Sequence, residues 1–113
     1  MFALKHKDKR SSLVTRFALY VELKAKPGKE EHVAKFLESA RALVLAETGT
    51  VAWFAMRFDE ATFAVFDAFN DEAGRTAHLN GAIAAALMAN AADLLAVHPE
   101  IRQPVILADK LPA

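Results

Sequence analysis

Between Arg16 and Leu23 the chain alternates Phe17, Leu19, Val21 and Leu23 with Ala18, Tyr20 and Glu22, the two-residue period of a β-strand, and Pro27 and Gly28 close it. From Lys29 the period lengthens. Val33, Phe36, Leu37, Ala40, Leu43 and Val44 fall three and four apart, Glu30 and Glu31 suit the first turn, and Gly49 supplies a stop. This spacing predicts an amphipathic helix. The runs TVAWFAMRF and TFAVFDAF flank Asp59, Glu60 and Ala61 and read as two strands joined by a tight hairpin. Asn70 or Asp71 caps a short second helix to about Leu79, and an alanine-rich third helix follows Asn80 and Gly81 to about Ala96. A last strand is expected from Ile101 to about Lys110, at a sheet edge because Pro104 cannot donate to a ladder.

The order strand, helix, strand, strand, two helices, strand predicts an α+β ferredoxin-like sandwich. A four-stranded antiparallel sheet carries the helices on one face, with the first and third strands central and the second and fourth at the edges. Residues 1–12 are expected to form a disordered or loosely attached tail, and residues 13–113 a single domain. If the hairpin turns at Glu60 and Ala61, Phe54 and Asp67 share one face, and Trp53, Arg57 and Phe66 share the other. Helices cover only one face, so Trp53 and Phe66 need another cover, and a second subunit packed sheet to sheet, a homodimer, is the expected one.

Composition narrows the function classes. Lysine plus arginine and aspartate plus glutamate balance at 14 each, so no net field draws the chain to nucleic acid, and the one basic cluster, Lys5 to Arg10, lies in the tail. With no cysteine, disulfides and thiolate chemistry are excluded. No apolar run reaches membrane-spanning length and the start is too short for a signal peptide, so a soluble, cytoplasmic protein is expected. The four scattered glycines build no phosphate-cradling loop, and no two histidines have metal-ligand spacing, so no metal site is expected.

The segments VELKAKPGKEEHV, GTVAWF and above all FDAFNDEAGRTAHL carry a further signal. Their most specific piece is Asp67, Phe69, Ala73, Ala77 and His78 in that spacing. Together they resemble the antibiotic biosynthesis monooxygenase domain family, small dimeric α/β-barrel proteins that include quinol monooxygenases. The resemblance spans about Phe17 to Lys110. It implies a cofactor-independent monooxygenase acting on an aromatic, quinol or polyketide-like small molecule, with a non-catalytic ligand-binding or accessory dimer as the alternative. Phe69 stands where the family often has tryptophan and Ile83 where many quinol-oxidising members have a second histidine, which points away from quinol oxidation. Haem-degrading relatives typically place an asparagine on the first strand, and Arg16 to Lys24 contain none.

The chemistry implied by that resemblance is removal of a substrate proton, retention of the resulting anion and exclusion of water. His78 is then the candidate base, Asp67 its partner or an acid, and Arg57 a fixed positive charge for the anion, while Trp53, Phe54 and Phe69 are candidate substrate-binding aromatics. Each has a structural alternative. His78 fills the space left by Gly74 and bonds Asp67, Trp53 belongs to a dimer core, and Arg57 pairs with Glu22 across subunits.

Overall fold

The structure, a computed structural model, describes residues 16–112. The tail expected over residues 1–12, with its basic cluster, lies outside the described residues. Strand β1 (Phe17–Lys24) leads to α1 (Glu30–Leu45), the hairpin strands β2 (Thr50–Arg57) and β3 (Thr62–Phe69), the helices α2 (Glu72–Leu79) and α3 (Ala82–Leu94), and the short β4 (Ile101–Arg102). The sheet runs β2-β3-β1-β4 with every pairing antiparallel, so β1 and β3 are central and the ferredoxin-like α+β sandwich is the observed fold.

Local chemistry sets the boundaries. Gly28 takes a φ of +87°, open to glycine at no steric cost, and its N–H donates to Glu30 Oε1 at 3.0 Å, which turns the chain from β1 into α1. Val33, Leu37, Ala40 and Val44 form the buried stripe of α1, which stops at Leu45, short of Gly49. Asp71 caps α2 by accepting from the Gly74 N–H at 2.8 Å. Helix α3 ends at Leu94 rather than Ala96, because Ala96 N–H already bonds the β1 residue Lys24. The last strand is far shorter than Ile101 to Lys110. Val105 still bridges Phe17 in the register set by Ile101 opposite Val21, but Pro104 in between has no N–H, and the ladder breaks there.

The hairpin register corrects the expected faces. Asp59 Oδ1 accepts from the N–H groups of Ala61 and Thr62 at 3.0 and 2.9 Å, so the turn closes around Glu60 and Arg57 pairs with Phe63, Ala55 with Val65 and Trp53 with Asp67. The pairing lies one residue from a turn at Glu60 and Ala61, and such a step moves every β2 side chain to the other face. Trp53 and Arg57 therefore share the helix-covered face with Asp67. Phe54 and Met56 move to the open face.

Between sheet and helices lies the main core, in which Leu23, Val33 and Phe63 are almost fully buried, and a smaller cluster of Ala40, Val44 and Ile83 packs against Trp53. On the open face, Tyr20 lies opposite Phe66 and Phe66 opposite Phe54, an aromatic row across three strands; Phe54 is 54% exposed.

Candidate functional site

His78 sits in the last turn of α2, held between two carboxylates. Its Nε2 lies 2.8 Å from Asp67 Oδ2 and its Nδ1 2.6 Å from Glu47 Oε1. Asp67 comes from the helix-covered face of a central strand and is 2% exposed; the His78 residue is 7% exposed. Glu47 comes from the loop after α1, where Thr50 Oγ1 also donates to its Oε1 at 2.7 Å. That loop is clamped against α2 by two glycines. A Cβ on Gly74 would stand 2.8 Å from Gly49 O, and one on Gly49 2.9 Å from Gly74 Cα, so only the bare backbones allow the approach that brings Glu47 to His78. The space beside Gly74 is thus filled by Gly49 and not by the His78 ring. Phe69 packs against that ring at 5.4 Å between centroids, tilted by 47°.

Burial alone would lower the His78 pKa, but hydrogen bonds and charge from Asp67, and then from Glu47, outweigh it and raise the value from 6.5 to about 9. At neutral pH the ring is an imidazolium with both N–H groups donated. It holds no lone pair with which to take a proton. Asp67 differs, since a carboxylate that meets the ring through Oδ2 keeps further lone pairs on its oxygens.

Asp67 and His78 line a mainly apolar cavity of about 50 Å³ between sheet and helices, walled by Leu19, Leu37, Ile83 and Leu87 and by Trp53. Trp53 faces Asp67 directly across the β2–β3 pairing, and its Nε1 is buried with no hydrogen-bond partner. An unmatched buried N–H costs about 1–3 kcal/mol, which suits a site that an acceptor fills. Trp53 and Leu37 also line an open groove of about 400 Å³ between α1 and β2, with Arg41 and Arg57 at its polar side. Arg57 is engaged there. It donates to Glu31 Oε2 and to the Glu60 carbonyl, both at 2.9 Å, and its guanidinium lies over the Phe63 ring. The partner is therefore Glu31 of its own chain; Glu22 lies on the other face of the sheet.

Of the candidates from the sequence, Asp67, His78 and Trp53 come together at the cavity, Arg57 lies in the adjoining groove, Phe69 stands behind His78, and Phe54 is on the opposite side of the sheet. Glu47 was missing from that set. It belongs to no periodic pattern and meets His78 only through the glycine contact. Nor do the three polar residues converge as metal ligands would: each ring nitrogen of His78 faces a different carboxylate, and no metal-binding group of three or more such side chains exists among the described residues. Among the same residues no helix is long and apolar enough to cross a membrane.

Comparison with solved structures adds relatives. A protein of unknown function from Nitrosomonas europaea is 61% identical, with a TM-score of 0.86 over 89% of this chain and 98% of its own. A Pseudomonas aeruginosa protein is 24% identical, with a TM-score of 0.72 over 85% of this chain and 98% of its own. A second Nitrosomonas europaea protein, provisionally described as an antibiotic biosynthesis monooxygenase, is 17% identical, with a TM-score of 0.73 over 81% of this chain and 99% of its own. The latter two likenesses establish the fold. No family model and no curated protein matches the chain.

Proposed function

The chain belongs to one family with the Nitrosomonas europaea protein of unknown function, and for it we propose a cofactor-independent monooxygenase activity on an aromatic or polyketide-like small molecule, carried out by a homodimer. The observation that carries this reading is Asp67: a buried carboxylate lining an apolar cavity and backed through its Oδ2 by a His78 that stays protonated. Asp67 takes a proton from an activated CH₂ of the substrate. The imidazolium keeps its hydrogen bond to Oδ2 throughout and fixes the carboxyl group in place. The Trp53 N–H supplies a donor for the oxygen on which the negative charge of the substrate anion collects. That anion reduces dioxygen and the peroxide formed at the same carbon takes the proton back from Asp67; Asp67 then removes the remaining C–H proton as the O–O bond breaks, and returns it to the leaving hydroxide, so that water departs and a ketone remains. In sum, R₂CH₂ + O₂ gives R₂C=O + H₂O, with all four electrons supplied by substrate.

An apolar cavity of about 150 Å³ holds benzene, so the 50 Å³ here admits a ring only if side chains such as Trp53 and Leu37, which line both this cavity and the groove, move aside. The homodimer rests on the open-face row Tyr20, Phe66 and Phe54, which a second copy packed sheet to sheet would cover. A non-catalytic ligand-binding or accessory dimer is the second reading, favoured by one fact: both ring nitrogens of the only buried histidine among the described residues are committed.

Oxygen uptake separates the two. Purified protein is supplied with anthrones, phenols and quinols in turn, without flavin or haem. The monooxygenase reading expects uptake with at least one of them, matched by one ketone per O₂ and abolished by Asp67→Asn. Absence of uptake across the panel would leave the accessory reading.

A further inference from the structure

The two outer strands of the sheet are finished differently. β4 is two residues long and Pro104 breaks it, which blunts that edge, whereas β2 is eight residues long and from Ala52 to Met56 carries no proline, no charge and no register shift. Among the described residues no strand pairs its outer side. A second open groove of about 400 Å³ runs there, between β2 and the end of α1, lined by Arg41, Leu45, Val51 and Trp53. Leu45 and Val51 stand out of the fold, Leu45 with 65% of its surface exposed. The arm that follows β4 is the other unburied apolar run. Val105, Leu107 and Leu111 are all exposed, Leu107 to 96%, and they fall on odd-numbered positions, as in a strand with one apolar side.

Taking as its basis the homodimer proposed above, we infer that the arm of each copy, Val105 to Leu111, packs into the groove between β2 and α1 of the other, so that each groove is closed by residues of its partner. The arm does not serve its own groove, because β2 and β4 are the outermost strands and β3 and β1 lie between them. Between copies the geometry fits. With the open faces together, a two-fold axis along the strands lays β4 of one copy over β2 of the other and keeps every residue at its level along the strands. Val105 bridges Phe17, Phe17 pairs with Phe69, and Phe69 pairs with Thr50, so the arm leaves the sheet level with Thr50. It therefore meets the partner copy at the start of β2, where Val51 and the α1 end at Leu45 are exposed. Facing sheets lie about 10 Å apart and an extended residue spans about 3.3 Å, so the chain from Leu107 to Leu111 has the length to cross. Arg41 and Trp53 line both this groove and the one beside the cavity, so the partner's leucines become part of the wall of the proposed site.

Leu107 gives the direct test, because a side chain so exposed in one copy contributes little to the fold of that copy. Leu107→Asp should leave the circular dichroism spectrum unchanged and raise the dissociation constant of the dimer by more than about tenfold in sedimentation, one buried leucine per arm being enough for that. It should also open Trp53, the only tryptophan of the chain, to quenching by acrylamide. Cross-linking reads where the arm docks. The chain has no cysteine, so Leu107→Cys and Val51→Cys, carried by differently tagged copies and treated with a short bismaleimide, form a unique pair. They should give a two-chain product containing both tags, and Leu107→Cys mixed with Asn90→Cys on α3 should not. An unchanged dissociation constant in Leu107→Asp, or a weakened dimer without the Leu107–Val51 product, would overturn the arm exchange and leave the sheet-to-sheet dimer standing. Unchanged quenching of Trp53 would remove the arm from the site wall. A wild-type protein that sediments as a monomer would overturn the exchange and the homodimer together.

Discussion

His78→Gln removes the charge between Asp67 and Glu47 while keeping a side chain of similar reach. The folded histidine holds its proton up to about pH 9, whereas in the unfolded chain it releases it near 6.5. Because the folded pKa is the higher of the two, the associated stability is fully present below pH 6.5, declines as the pH rises through 9, and is gone above it. The gap between the two values corresponds to about 3 kcal/mol at most, at about 1.4 kcal/mol for each factor of ten in proton affinity. Urea unfolding of wild type and His78→Gln across this range isolates the effect, since other groups titrate alike in both and cancel in the difference. The wild-type advantage should shrink by about 3 kcal/mol from the acid to the alkaline end; in melting temperature this is about 10–20 °C for a domain of this size. A difference that stays flat across the range, or grows with pH, would refute the reading of His78 as an imidazolium held by two carboxylates.

Three further outcomes follow from the same geometry. Phe66→Glu places a charge in the middle of the open-face aromatic row and should convert a dimer to a folded monomer in sedimentation, whereas Trp53→Glu, on the helix-covered face, should instead unfold the chain. Gly74→Ala drives a Cβ to 2.8 Å from Gly49 O, should cost about 1–3 kcal/mol in denaturant unfolding, and should lower the His78 pKa in an NMR titration by lifting Glu47 away. Glu47→Gln should lower the same pKa with a smaller loss of stability, as the neutral side chain still fills its place.

The change from a two-residue to a three-and-four-residue period was enough to read the order of elements and the strand placement, because the burial that drives them leaves its mark residue by residue. The hairpin register was not legible in the same way. It depends on where one turn closes, and Asp59, by collecting the N–H groups of Ala61 and Thr62, moved that point by one position and exchanged Trp53 with Phe54 between faces. For the site, Asp67 and His78 could be paired from a polar residue in an apolar strand and a histidine one helix away. Glu47 could not. It lies in a loop 31 residues from His78, and what joins them is the absence of two side chains, at Gly49 and Gly74, a contact that no local pattern encodes. The early end of β4 was half legible: Pro104 marked an edge, but the same missing N–H that marks an edge also ends the ladder.

The role of Asp67 as base depends on the protonation of His78, and a ¹⁵N–¹H spectrum of the ring at neutral pH observes that state directly. It should show both ring nitrogens protonated and both protons protected from exchange by Asp67 and Glu47, with one of them lost in Asp67→Asn and the other in Glu47→Gln. A His78 ring with one bare nitrogen at neutral pH would contradict it, and would return the role of base from Asp67 to the histidine.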